Sequence, residues 1–114
     1  MADMLDMAPQ DRVIALYEAM AGDTRAMLAA ARAQDWDALV TLEAACAAHV
    51  ARLQRDEPEL TLSSRQRERK SALVTQMLAD DGELRRLIAD RMTQLTNEMN
   101  SANTERKLSR AYGS

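Results

Sequence analysis

Phenylalanine is absent from this 114-residue chain, glycine occurs three times and proline twice. Few residues are therefore available to break helices or to build tight turns. β-Branched residues are sparse and never alternate with polar ones over a useful length, so strand signals are missing. A single cysteine, Cys46, excludes an internal disulfide and fits a reducing compartment. No apolar run approaches the ~18 residues of a membrane span. Residues 1–8 show neither a basic start nor an apolar stretch, so no signal peptide is expected. The formal net charge of −3 argues against nucleic acid as a bulk partner. A cytoplasmic protein is expected.

What the chain does contain is Ala, Leu, Met, Arg, Glu and Gln, all good helix formers. The length suits one domain over residues 1–114, with residues 1–8 a loose start. The expectation is an all-α antiparallel bundle of three or four helices with a marginal C-terminal helical segment. Its pivot is Gln34-Asp35-Trp36-Asp37. Asp35 can cap a helix with its carboxylate, and Asp37 falls in the first turn, where the helix dipole favours negative charge. Trp36 is expected to be substantially buried, closing one end of a helical hairpin with its indole N–H near water.

The first helix is expected from about Pro9 to Ala33, with Pro9 suited to its first turn. Val13, Tyr17, Met20, Thr24, Met27 and Ala31 form its stripe, widened by Ile14, Leu16 and Leu28. Gly22 interrupts the stripe and reads as a close helix contact. The second helix is expected from Trp36 to about Arg55. Leu39, Leu42, Cys46, Val50 and Leu53 mark its inner face, and Ala44, Ala45, Ala47, Ala48 and Ala51 permit close approach. Pro58 ends it. Ser63 with Gln66 reads as a capping box opening a third helix. Asp80-Asp81-Gly82 is expected to break or kink that helix, with Asp80 or Asp81 capping a fourth run through Leu84, Leu87, Ile88, Met92, Leu95 and Met99. The stretch from Ser101 to Tyr112 carries too little apolar surface to fold alone.

No catalytic pattern stands out. Cys46 and His49 stand three apart, but two ligands are too few for a structural zinc site. Asp80-Asp81-Gly82 lacks the alternating acids of a calcium loop. There is no phosphate-binding glycine loop. An enzyme is not expected, nor a metal or cofactor. Arg65, Arg67, Arg69 and Lys70 cluster without interleaved aromatics, which reads as a solvated helix start rather than a direct nucleic-acid site. Eight methionines suit either an adaptable partner surface or a core without Phe. Leu73, Met77, Leu84, Leu87 and Ile88 are the candidate partner-binding residues, because the third helix turns apolar only near its expected break. A regulatory tail is expected around Arg106, Leu108, Arg110 and Tyr112. Leu108 and Tyr112 stand at i, i+4 and can share one helix face.

The order of these features resembles the FliT-type flagellar export chaperones, over residues 13–113. It is carried by Tyr17-Glu18, by Asp35-Trp36-Asp37-x-Leu39 with Leu42-Glu43, by Ala79-Asp80-Asp81-x-Glu83-Leu84-Arg85-x-Leu87-Ile88, and by the ending Arg110-Ala111-Tyr112-Gly113. The resemblance implies a small cytosolic helical chaperone that holds the flagellar cap protein, FliD, before export. It implies delivery to the type III export gate and its ATPase and, in some bacteria, restraint of the master regulator FlhDC. It also implies a C-terminal helix that regulates partner access. A homodimer is left open. The competing class is a stand-alone helical adaptor or dimerisation module in signalling or nucleic-acid binding.

Overall fold

A computed structural model of the chain describes residues 7–113. The expected loose start over residues 1–8 lies largely outside them. Three α-helices follow in order: α1 (Pro9–Arg32), α2 (Trp36–Asp56) and α3 (Ser64–Tyr112), with a 3-10 turn at Glu57–Glu59 between the last two. Among the described residues there is no strand, and no helix is long and apolar enough to cross a membrane. The all-α bundle expected from composition is the fold. The chain divides into two compact units, Met1–Leu84 and Arg85–Ser114.

The start of α1 has Pro9 in its first turn, and Arg12 Nη1 donates to the Met7 carbonyl at 2.9 Å. Its end is more informative. The Asp35 N–H reaches the Ala30 carbonyl at 2.8 Å, and the Gln34 N–H reaches the Ala31 carbonyl at 3.1 Å. This is the Schellman pattern, with Gln34 in the left-handed position at φ 59°. Asp35 then caps α2, its Oδ1 accepting from the Ala38 N–H at 3.1 Å. A C-cap and an N-cap therefore share two adjacent residues, and the connection is short enough to make α1 and α2 antiparallel neighbours. Trp36, at the first position of α2, is half-buried rather than enclosed.

α3 runs parallel to α1. Asp11 meets Gln66 at 3.3 Å, Glu18 meets Arg69 at 3.4 Å, Arg25 meets Asp80 at 3.3 Å and Arg32 meets Glu83 at 2.7 Å. Partners on the two helices advance together along the chain, as parallel neighbours must. The Ser63–Gln66 capping box forms in full. The Ser63 N–H donates to Gln66 Oε1 at 2.8 Å, and the Gln66 N–H donates to Ser63 Oγ at 3.2 Å.

The expected break at Asp80-Asp81-Gly82 does not occur, and there is no separate fourth helix: α3 continues through all three residues. Asp80 is not a cap. It is a buried carboxylate held by Arg25. Ion pairs to α1 stand on either side of Gly82, through Asp80 and Glu83, and Leu84 is buried two residues on. These contacts offset the ~1 kcal/mol that a helical glycine costs relative to alanine. Gly22 is likewise no close contact, since a Cβ there would meet nothing within 4 Å.

The core is built from Val13, Leu16, Tyr17 and Ala21 of α1, Leu53 of α2 and Leu73 of α3, with Met20, Leu60, Leu62, Val74 and Met77 packed against it. Thr24 is buried in α1 and donates its hydroxyl to the Met20 carbonyl at 2.9 Å, so its polarity is satisfied. The inner face expected for α2 is only partly realised. Leu53 is buried, whereas Leu39, Leu42, Cys46 and Val50 are half-buried and Ala44, Ala45, Ala47, Ala48 and Ala51 are exposed.

Candidate functional site: an apolar cleft closed by a Tyr–Glu–Lys network

An apolar hollow in the first unit lies between α1 and the end of α2. It is a cleft of about 560 Å³ lined by Tyr17, Met20, Val50, Leu53, Gln54, Glu57 and Pro58. Tyr17 and Met20 are adjacent on α1 because they stand at i, i+3. Val50, Leu53, Gln54 and Glu57 repeat the same spacing on α2 and into the 3-10 turn. Pro58 closes this end because it cannot continue the helix.

A polar network borders the apolar lining. The Tyr17 hydroxyl donates to Glu57 Oε2, and Lys70 Nζ donates to Glu57 Oε1. Lys70 Nζ also lies over the Tyr17 ring, 5.1 Å from its centroid, a cation–π arrangement. One carboxylate thus joins α1, the 3-10 turn and α3. Burial pushes the Tyr17 hydroxyl pKa up, and the bond to anionic Glu57 adds to this. Burial also pushes Glu57 up, but the hydrogen bonds from Lys70 and Tyr17 outweigh it and leave the carboxyl below its ordinary value. Lys70 is raised, first by its bond to Glu57 and then by Tyr17. At neutral pH Glu57 and Lys70 are charged and Tyr17 is neutral, and each is satisfied within the network. It offers a partner a fixed wall rather than a proton donor.

Cys46 and His49 are not drawn to one centre. His49 Nδ1 lies 2.7 Å from Asp23 Oδ2, a link between α2 and α1. Burial raises the Cys46 thiol pKa, and the negative charge of Asp23 raises it further, so the thiol is protonated and a poor ligand. Among the described residues no group of three or more His, Cys, Asp or Glu could hold a metal ion.

The residues expected to bind a partner are dispersed. Leu73 and Leu84 are each only 5% exposed and serve the core. Met77 packs against it, Leu87 is half-buried and Ile88 is 37% exposed. The two buried leucines therefore contribute no free apolar surface. In the tail, Arg106, Leu108, Arg110 and Tyr112 all lie on α3 and are exposed. Sequence reasoning missed the cleft. Its available signal was the run Val50, Leu53 and Glu57 leading into Pro58, opposite Tyr17 and Met20.

The family model of the flagellar protein FliT matches residues 14–114 of this chain, nearly its whole length. The chain belongs to the FliT family. This is a chaperone-type family of flagellar proteins and not a known family of enzymes. No curated protein and no solved structure matches the chain. The match begins at Ile14 and so spans the cleft residues as well as the whole of α3. The FliT fold is here a three-helix arrangement, with α3 unbroken at Gly82.

Proposed function

We propose that this chain is a cytoplasmic export chaperone that binds the flagellar cap protein, FliD, and delivers it to the type III export gate and its ATPase. The observation that carries this reading is the apolar cleft beside the Tyr17–Glu57–Lys70 network. A chaperone that holds an export substrate needs a groove able to take apolar side chains of an extended or helical segment. Met20 gives this one an adaptable wall beside Val50, and membership in the FliT family supports a flagellar protein as the substrate.

The proposal assigns partner contact to Met20, Val50 and the neighbouring Gln54. It includes a regulatory role for the tail from Ser101 to Tyr112, which competes with the partner when Leu108 and Tyr112 find an apolar surface to cover. The family resemblance extends the reading to restraint of FlhDC. The deciding experiment is calorimetric titration of purified FliD into the chain and into Met20→Asp and Val50→Asp. Binding by the native chain, weakened at least tenfold in variants that keep their helical circular dichroism, is the expected result. A folded native chain that does not bind FliD ends the proposal.

A further inference from the structure

The fold divides the basic cluster at the start of α3. Arg69 pairs with Glu18 and Lys70 with Glu57, so these two charges are neutralised. Arg67 is not. Its Nη2 donates to Ser64 Oγ, a neutral acceptor, at 3.2 Å, and among the described residues no carboxylate pairs with it. The other N–H groups of its guanidinium are left for an acceptor from outside the chain.

Arg67 stands between two hollows and, with Lys70, lines both. One, of about 380 Å³, takes its apolar wall from Leu60 and Leu62 in the connection between α2 and α3. The other, of about 400 Å³, takes its apolar wall from Val74. Leu78, one turn beyond Val74, is 68% exposed. Arg67, Val74 and Leu78 stand at i, i+7 and i+11 and so share one face of α3. Along this surface the order is apolar, cationic, apolar.

We propose that it docks a peptide segment of another protein in which one carboxylate is flanked on both sides by aliphatic side chains. The carboxylate takes Arg67. One flanking side chain enters the hollow of Leu60 and Leu62, and the other covers Val74 and Leu78. The chemistry of the surface chooses this occupant. A single uncommitted guanidinium between apolar walls suits one carboxylate, whereas the repeated phosphates of a nucleic acid call for several cations in a row. No aromatic ring lines either hollow, so bases would have nothing to stack on. The chain's own tail carries Arg106, Lys107 and Arg110 against Glu105, an excess of the same sign as Arg67. The surface differs from the cleft of Met20 and Val50, with Glu57 and Pro58 common to the two linings. The inference does not rest on the cap-protein reading.

Nuclear magnetic resonance titration of the full chain with the end-capped peptide Ser-Leu-Ser-Glu-Ser-Leu-Ser tests it. In an extended peptide the glutamate and both leucines point to one side. The expected result is saturable binding with a dissociation constant below about 1 mM, with shifts at the amides of Leu62, Arg67 and Val74. Glutamine in place of the peptide's glutamate weakens binding by about tenfold, and so does Arg67→Gln, because each removes the same charge-assisted bond. The two changes together therefore cost no more than either alone. Arg67 is exposed, so its variant keeps the helices, which circular dichroism checks. Arg65→Gln, on the opposite side of the helix, leaves the affinity unchanged. Absence of saturation at about 5 mM peptide overturns the proposal, as does equal affinity for the glutamine peptide. Inorganic phosphate or an oligothymidylate that shifts the same amides at lower concentration overturns it in favour of a polyanion. The same shifts on concentrating the protein alone, or on deleting residues 101–114, overturn it in favour of a second copy or the tail.

Discussion

The hydroxyl of Tyr17 on α1 donates to the carboxylate of Glu57 in the 3-10 turn, forty residues further along the chain. Because Lys70 of α3 donates to the same carboxylate, Glu57 ties α1, the 3-10 turn and α3 together. Tyr17→Phe and Glu57→Gln should each lower stability by about 1–2 kcal/mol, the usual cost of a partly buried, charge-assisted bond. The double variant should cost less than the sum, since both remove the same bond. Urea denaturation of the four chains checks this, and strictly additive losses would refute the coupling.

The same network fixes a pH window. Glu57 is held below its ordinary value of 4.5, so its contribution is complete above about pH 4.5 and is lost as pH falls through the folded value. Lys70 is raised above 10.5 and Tyr17 above 10.0. Their contributions are complete below those values and vanish as pH rises through the folded ones. The stability difference between the native chain and Glu57→Gln should therefore be flat from about pH 5 to 9.5 and shrink on both sides. Denaturation midpoints of both chains from pH 3 to 11 measure it. A difference that holds constant down to pH 3 would show that Glu57 is not stabilised as its anion.

Two glycines lie inside helices with open space where a Cβ would go, Gly22 and Gly82. Gly82→Ala and Gly22→Ala should each stabilise the chain by about 1 kcal/mol, read as a raised thermal midpoint. The Gly82 result has a second use. If the helix turned there in solution, as the Asp80-Asp81-Gly82 sequence suggests, alanine would destabilise instead.

Gln34 occupies the left-handed C′ position that glycine fills at low cost. Gln34→Gly should raise stability by about 0.5–1 kcal/mol, the relief of strain exceeding the added freedom of the unfolded chain. Asp35→Ala should lower it by about 1 kcal/mol through loss of the bond to the Ala38 N–H. Thermal unfolding of the two variants gives opposite shifts if both caps are as described.

Removal of residues 101–114 tests the tail of the proposed chaperone. The truncated chain should stay folded, because the removed residues that are described are all exposed, and should bind FliD more tightly in the same titration. A folded truncate with equal or weaker affinity would show that the tail does not compete.

Much of this architecture is local and so was written in the residues themselves. Pro9, Asp35, Pro58 and the Ser63–Gln66 box set helix ends through bonds within a few positions of each other, and such bonds do not need the rest of the fold. Helical periodicity likewise marked Val13, Tyr17 and Leu53 as core. What lay beyond the sequence was set by contacts between residues far apart in the chain. Asp80-Asp81-Gly82 carries a local signal for a break. The α1 partners Arg25 and Arg32 hold α3 on either side of Gly82, and neither is visible from positions 80–82. Leu73 and Ile88 look alike by composition, yet one is buried and the other exposed. Leu73 is buried because it joins the cluster with Val13, Leu16 and Leu53, a contact that only the tertiary structure decides. The cleft and its Tyr17–Glu57–Lys70 network follow the same rule, since the three residues meet only after three separate elements have packed.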